Sequence, residues 1–302
     1  MKTNLLRSAA AILMLLCLAL VISSPAIAEV APLDLDQLTV GNPALESGWN
    51  EDATEYTDPS IHVTVEHSTA HKVKTSIVRI TISDPSQLRT AMSEDSYDKT
   101  AYVKAAALAK HVNAIAAVNG DFFKYYDFGY LVRQGVLYRD LPGAGKYLRD
   151  MLVIDDQGDF YAVKDADADN VKDFLANTLP ADRTVINTFT LGPVLVVDGA
   201  VQEITTREFQ YRYKMQRVAI VQVDALSYAI VECDGKADAS SGMSLSTFAE
   251  YIQSLFPNCR MAYNLDGGGS TNVIVNNKRI HKNPDSREIC DILYFASAYT
   301  ED

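Results

Sequence analysis

Gly267, Gly268 and Gly269 stand in a row inside the stretch Y-N-L-D-G-G-G-S-T-N, Tyr263 to Asn272. Apolar residues lead into the stretch (Met261, Ala262, Leu265) and apolar residues leave it (Val273, Ile274, Val275). Glycine loses more backbone freedom on folding than any other residue, so three together disfavour a regular element. They suit a turn that needs positive φ, or a place where a ligand approaches closer than a Cβ would allow. Successive amides in such a turn can converge into a nest that binds an anion. Asp266 at its mouth, with Ser270 and Thr271 at its far end, suits a polar, phosphorylated ligand. The plainer alternative is a tight β-turn in which Asp266 caps its own backbone.

The start of the chain bears on the compartment. Lys2 and Arg7 precede an uncharged apolar stretch, Ala9 to Ile22, and Ala26-Ile27-Ala28 has the small-x-small pattern of a cleavage site. Residues 1–28 read as a secretory signal peptide, too short in its apolar part for the roughly 20 residues of a spanning helix. The expectation is an exported protein, secreted or held in the cell envelope, with no stable membrane insertion after cleavage. Loss of two positive charges with the signal takes the net charge from −12 to −14. That balance argues against nucleic acid and anionic membrane surfaces as partners, and leaves any anion to local arginines and amides. Cys233, Cys259 and Cys290 remain, an odd number that allows one pair at most and rules out a disulfide scaffold.

Residues 29–60 are polar and turn-rich and read as an extended lead-in, a spacer that joins the fold late or stays mobile. Residues 61–299 read as one α+β domain, with a mixed, largely antiparallel sheet flanked by helices. Strand patterns cover Ile61 to Val65, Val73 to Ile82, Ala114 to Val118, Tyr130 to Tyr138, Met151 to Ile154, Phe160 to Val163, Val194 to Val197, Val218 to Val223, Tyr228 to Glu232 and Arg260 to Leu265. Ile292 to Phe295 is expected to close the sheet. Lys99 to Val112 and Ser244 to Phe256 read as helices, the second capped by a serine and stopped by Pro257. Each helix leads into a strand that ends in a polar residue and glycine, at Asn119-Gly120 and at Asp266-Gly267. If those strands run parallel, both tips lie on the same edge of a sheet, where ligands bind.

These segments, in this order, resemble the phosphodiester glycosidase family. The resemblance is carried by Ala117-Val118-Asn119-Gly120-Asp121-Phe122-Phe123; by Gly129, Leu131, Val132 and Gly135; by Leu191-Gly192-Pro193-Val194-Leu195 and Gly199; by Arg217-Val218-Ala219-Ile220; by Asp234-Gly235 with Gly242 to Leu245; by Asn264 to Thr271; and by Arg287. It spans about residues 110 to 297, and the Asn264–Thr271 block is its most specific part. Two positions depart from the family pattern: Asp121 and Val221 stand where glycines are usual.

The resemblance implies hydrolysis of a sugar-1-phosphodiester; no cofactor is expected and no metal ligands are assigned, and a metal-dependent phosphodiesterase that cuts the P–O bond is a further reading. Asp266 is then the expected acid or base and Asp121 its possible partner, two carboxylates whose pKa values separate. Arg217 and Arg287 would grip phosphate in bidentate fashion. Gly120, Gly267, Gly268, Gly269, Ser270 and Thr271 would line the substrate, and Asn119 and Asn264 would orient sugar hydroxyls or water. The alternative is a non-catalytic glycan-binding or exopolysaccharide-processing accessory that uses the same pocket; Asp121 and Val221 keep that reading open. Each residue also has a plain structural role open to it: ion pairing for the arginines, a turn for Asn119-Gly120, local backbone bonds for Asp121.

Three other features carry weaker signals. His62, Glu66, His67 and His71 straddle a strand end without metal-ligand geometry and read as solvated. His281 could edge the pocket. Phe122, Phe123, Tyr125, Tyr126 and Phe128 form an aromatic run that either stacks on sugar rings or plugs the core.

Overall fold

Strands with one apolar face must cover it, and this chain does so by stacking sheets. The computed structural model describes residues 30–36, 38–145, 148–204, 212–236 and 241–301. The expected signal peptide, 1–28, lies outside the described residues.

An eight-stranded sheet runs, edge to edge, through Glu55–Thr57, Ile61–Ala70, Val73–Ile82, Ser227–Cys233, Arg217–Asp224, Met261–Asn264, Val194–Val197 and Ala200–Val201. A five-stranded sheet runs through Lys278–Arg279, Val273–Val275, Ala114–Asn119, Asp291–Ala296 and Leu88–Met92. A three-stranded sheet joins Val185–Phe189, Met151–Asp155 and Phe160–Val163, and Gly129–Arg133 pairs with Val136–Leu141.

The main core contains Ile80, Ile220 and Tyr263 from the eight-stranded sheet, Ile115, Val118 and Leu293 from the five-stranded one, and Leu152 and Ile154 from the third. The outer faces are covered by helices. Helix Leu245–Leu255 lays Phe248, Ala249 and Ile252 on Val221, Ala229 and Ala262 of the large sheet. Helix Ala105–His111 covers Ala117, Ile292 and Tyr294 of the five-stranded sheet. Strand Arg217–Asp224 is thus apolar on both faces, and its first six residues are buried. The Ser244 hydroxyl accepts the Thr247 amide at 3.2 Å and starts the long helix as the sequence suggests, a cap of roughly 1 kcal/mol.

Several expectations need correction. The sheet is not one but four, and every ladder among the described residues is antiparallel. With 41% strand, 17% helix and three helices among the described residues, the fold is largely β. The strands expected to run parallel, Ala114–Asn119 and Met261–Asn264, lie in different sheets. Strand Asp291–Ala296 does not close a sheet but sits between Ala114–Asn119 and Leu88–Met92. The alanine-rich helix holds only seven residues, because Val103 exchanges backbone bonds with Ile289 at 2.8 and 2.9 Å and keeps the preceding chain extended. The strand expected from Tyr130 to Tyr138 is a hairpin, reversed where Gln134 (φ 49) and Gly135 (φ 77) both take the left-handed region. Strands Leu88–Met92 and Val185–Phe189 carry Arg89, Thr90, Asn187 and Thr188, polar residues that hide a strand from an apolar-periodicity search although all four are buried.

The lead-in is not a loose spacer. Val30 to Tyr299 form one compact unit, Asn42 bridges to Ser297, Glu55–Thr57 supplies the edge strand, and Tyr56 is wholly buried. Asp58 anchors this entry by accepting from Tyr56 Oη, Ser60 and Ser297 at 2.6–2.8 Å. All three described cysteines are buried free thiols. Among the described residues, no helix is long and apolar enough to cross a membrane.

Tyr263 ties the sheets together. Its buried hydroxyl accepts the Leu191 amide at 2.9 Å and lies 2.8 Å from the carbonyls of Asp150 and Phe189. A Tyr263→Phe variant orphans those groups and should lose about 1–3 kcal/mol of stability. Urea denaturation reads this as a lower midpoint at unchanged slope; an unchanged midpoint contradicts it.

Candidate functional site

The two glycine-bearing strand tips meet across the sheets. Asn119 is 1% exposed, and its side-chain amide donates to the Asp266 carbonyl at 2.8 Å and the Gly120 carbonyl at 3.1 Å. Its Oδ1 accepts the Asn272 amide at 2.9 Å. The Asp266 amide in turn donates to the Gly120 carbonyl at 3.3 Å. Asn119 and Gly120 therefore build the joint and do not line the cleft. Gly120 is required there, because a Cβ would stand 2.3 Å from Asp291 Oδ2.

On the outer side of this joint lies a cleft of about 800 Å³, within the range of small-ligand sites. Arg217, Asn264, Asp266, Gly267, Gly268, Gly269, Ser270 and Arg287, all expected from the sequence, line it together. The glycine loop can be packed so tightly only without side chains: a Cβ on Gly267 would meet the Gln216 carbonyl at 2.8 Å, and one on Gly269 the Asp285 carbonyl at 2.6 Å. Gly268 has φ +57. The expected convergence of free amides is only partial, because those of Gly268, Ser270 and Thr271 are taken by the carbonyls of Gln216, Gly267 and Gly268 at 2.9–3.2 Å. Thr271 is fully buried behind the loop and does not line the cleft.

Asp266 projects from this loop with its side chain 12% exposed. Its Oδ2 is buried without a hydrogen-bond partner, and Arg287 Nη2 stands 4.0 Å away. Burial pushes its carboxyl up to about 6, opposed by Ser270 and Arg287 and reinforced by Asp121 and Asp291. The two arginines differ. Arg217 is 4% exposed and donates to the carbonyls of Met243 at 3.2 Å and Tyr213 at 2.9 Å; burial lowers its pKa to about 10, which leaves it cationic at neutral pH. Arg287 is largely exposed, and its Nε donates to Ser270 Oγ at 2.8 Å. Asn264 spends its amide on the Gly192 carbonyl at 2.7 Å, while its Oδ1 is buried and unpartnered.

Asp121 does not add a carboxylate to the cleft. It is 3% exposed, pairs with Arg133 at 3.0 Å and accepts the Thr190 amide at 2.7 Å. Val221 also stays out of the cleft and packs beneath the long helix. The aromatic run divides: Phe122, Tyr125 and Tyr126 line the cleft, while Phe123 is core. Tyr102, Arg149, Met215, Asp285 and Glu288 also line it and escaped the sequence reading, while Leu191 and Pro193, named there only for the family resemblance, line it too. For Asp285 and Glu288 the only available signal was nearness to Arg287 in the chain.

Beneath the loop, His281 is buttress and not pocket edge. Its Nε2 accepts the Val273 amide at 3.0 Å, and burial lowers its pKa to about 4. The ring proton therefore sits on Nδ1, which faces Glu232 Oε1 at 3.3 Å. Glu232, Asp234 and His281 are the one set of metal-type side chains that converges among the described residues. The nitrogen facing the carboxylates is a donor, so it offers a cation no lone pair. His62 pairs with the exposed Glu55 and His67 meets Ser76; neither builds a metal site. Asn283 secures the loop from outside by donating to the carbonyls of Gly268, Gly269 and Thr271 at 2.8–3.2 Å.

The raised pKa of Asp266 has a stability consequence. A carboxyl whose folded pKa, about 6, exceeds its unfolded value favours the fold while protonated, and that contribution is lost as pH rises through 6. An Asp266→Asn variant should therefore be more stable than the parent at pH 7, by on the order of 2 kcal/mol, with the gain vanishing below pH 4. Thermal melts at the two pH values test this; equal melting temperatures at pH 7 contradict it.

The chain is 27% identical over 205 residues to the SPbeta prophage-derived protein YomE of Bacillus subtilis, a match spanning 65% of this chain but only 30% of that relative. Its fold is similar to the catalytic domain of zebrafish N-acetylglucosamine-1-phosphodiester α-N-acetylglucosaminidase, auto-inhibited by its pro-peptide, with a TM-score of 0.58 and 16% identity over 89% of this chain and 99% of that one. A hypothetical protein from Synechocystis aligns with a TM-score of 0.49 and 14% identity over 78% of this chain and 62% of the other. The family model for phosphodiester glycosidase matches residues 112–296. With its glycine loop, acid and arginines gathered in one cleft, the chain belongs to the phosphodiester glycosidase family.

Proposed function

We propose that this protein is an exported hydrolase that cleaves the glycosidic bond of sugar-1-phosphodiesters in an extracellular or cell-envelope glycan. Family membership supports a glycosidase; the diester substrate, the export and the glycan are this reading's own steps. The observation that carries it is a desolvated carboxylate, Asp266 Oδ2, with no hydrogen-bond partner, in one cleft with a buried arginine, Arg217, and an exposed one, Arg287, that stands 4.0 Å away.

In this reading the diester phosphate sits against Arg217 and Arg287. Arg217 is a fixed charge, held by two backbone carbonyls, and Arg287 can adjust from solvent. The sugar lies over the glycine loop, where the absence of side chains lets the ring approach, with Asn264 Oδ1 free to accept a sugar hydroxyl. Water attacks the anomeric carbon as the C1–O bond breaks. The electron pair of that bond leaves with the phosphate oxygen, which departs as a phosphomonoester. Asp266 takes the proton that the attacking water loses, and the sugar keeps the new C1–OH. A phosphate leaving group is weakly basic, so the arginines' charge can serve in place of protonation. A base with a pKa near 6 is strong enough to help and still mostly ionised at neutral pH.

Asp121 and Val221, the two departures from the family pattern, both lie outside the cleft lining, which removes the main reason for a non-catalytic accessory role. The apolar run and cleavage pattern of residues 1–28 support export.

Two outcomes follow. Sugar release from a synthetic sugar-1-phosphodiester should fall by about 10²–10⁴-fold in Asp266→Asn, and solvent oxygen-18 should enter the sugar; label in the phosphate means P–O cleavage and contradicts the reading. In the wild type, kcat/KM should decline as pH drops below about 6, where the base becomes protonated. A flat profile from pH 8 to pH 5 contradicts that role.

A further inference from the structure

Behind Asp266, on the side away from the cleft, lies a buried group of charges that the reaction as described does not use. Arg133 is 1% exposed and reaches Asp121 Oδ1 at 3.0 Å and Asp291 Oδ2 at 2.8 Å with the same nitrogen, Nη2. Its other terminal nitrogen donates to the carbonyls of Val132 and Thr188, and the rings of Phe189 and Phe123 flank the guanidinium at 4.3 and 5.5 Å. Asp121 is further held by the Thr190 amide, and Asp291 Oδ1 faces the Cys290 thiol at 3.7 Å. Burial opposes the charge on Arg133, yet Asp121 and Asp291 outweigh it and keep the guanidinium protonated.

One cation facing two carboxylates leaves a net negative charge in a place water does not reach. That charge is close to Asp266. The Asp291 carboxylate packs on the α-carbon of Gly120, and the Gly120 carbonyl accepts the Asp266 amide. A single residue of backbone thus separates the buried carboxylate from the loop that carries the acid.

We propose that Asp121 and Asp291 are positioning residues which, by overcompensating Arg133, hold buried negative charge behind Asp266 and so tune it as a base. The proposal builds on the reading of Asp266 as the reaction's base. It also gives Asp121 a purpose: with the glycine usual at that position in the family resemblance, Arg133 would face one carboxylate and the group would be neutral. The mutual influence of the carboxyls has the right sign, since Asp121 and Asp291 both raise Asp266, while Asp291 is itself pushed up by burial and Asp121 against the pull of Arg133. Other groups share the cleft with Asp266: Ser270 on its own loop, Arg287, Asp285 and Glu288 from the late loop, Tyr102 from the segment before the alanine-rich helix, and Arg217 and Arg149. These border the open cleft, whereas the Arg133 group has no access to solvent, so salt screens the first and spares the second.

The test is direct titration of the full chain labelled with carboxyl-carbon-13 aspartate, with the Asp266 resonance identified by its loss in Asp266→Asn. Asp121→Asn and, independently, Asp121→Gly should each lower the Asp266 midpoint by about one pH unit. The acid limb of kcat/KM on a sugar-1-phosphodiester should move to lower pH by the same amount, and 0.5 M salt should not abolish the difference. An unmoved Asp266 midpoint in both variants overturns the proposal, and so does a shift that salt erases. If the midpoint moves but the wild type releases no sugar, the electrostatic role stands and the glycosidase reading fails.

Discussion

One buried side chain holds the functional cleft together. Asn119 ends a strand of the five-stranded sheet, and all the polar atoms of its amide are spent on the turn that follows a strand of the other sheet: its nitrogen on the Asp266 carbonyl, its oxygen on the Asn272 amide. Much of the contact between the two sheets is apolar packing, which is non-directional and by itself fixes no relative sliding of strand tips. A buried amide with both ends satisfied does fix it, because each unmade bond costs about 1–3 kcal/mol. The glycine loop, the depth of Asp266 and the distance to Arg287 all inherit their positions from this joint.

The cleft works by a contrast in solvation. Asp266 and Arg217 are both buried: Asp266 Oδ2 lacks a hydrogen-bond partner and has Arg287 4.0 Å away, and the Arg217 guanidinium donates to two backbone carbonyls. The Arg287 side chain is largely exposed and donates to Ser270, while its backbone amide donates to the Gly269 carbonyl. A buried guanidinium such as that of Arg217 is costly without ligand and favourable once a phosphate supplies the opposite charge. Glu232, Gln216 and His281 form a second buried polar layer below the loop. The Gln216 carbonyl accepts the Gly268 amide and its side chain donates to Glu232 at 2.9 Å, so the loop rests on a hydrogen-bonded floor and not on deformable hydrocarbon.

Much of this was legible in the chain. The glycine run and the two strand tips could be picked out because each breaks a local rule: backbone entropy wasted at Gly267–Gly269, polar residues closing apolar runs at Asn119 and Asp266; the arginines stood out only through the family resemblance. Strand periodicity located most of the strands because their burial alternates or runs unbroken. What escaped did so for physical reasons. Leu88–Met92 and Val185–Phe189 bury Arg89 and Asn187 in hydrogen bonds, which period-two hydrophobicity does not register. Antiparallel pairing across separate sheets depends on tertiary packing, and local pattern does not encode it. Asp121 was read as a cleft residue because it adjoins Asn119-Gly120, but Arg133, twelve positions on, draws its carboxylate the other way. The walls of the cleft, Tyr102, Met215 and Glu288, come from segments with no motif at all.

The claim on which the rest depends is that a sugar phosphodiester occupies the cleft with its phosphate between Arg217 and Arg287 and its anomeric carbon beside Asp266. A crystal structure of the Asp266→Asn protein with a non-hydrolysable sugar-1-phosphonate ester measures this directly. The account predicts phosphonate oxygens within hydrogen-bonding distance of both guanidiniums, the sugar ring on Gly267–Gly269, and a water or the residue-266 side chain facing C1. A phosphonate bound elsewhere, or a sugar ring turned away from residue 266, would contradict it.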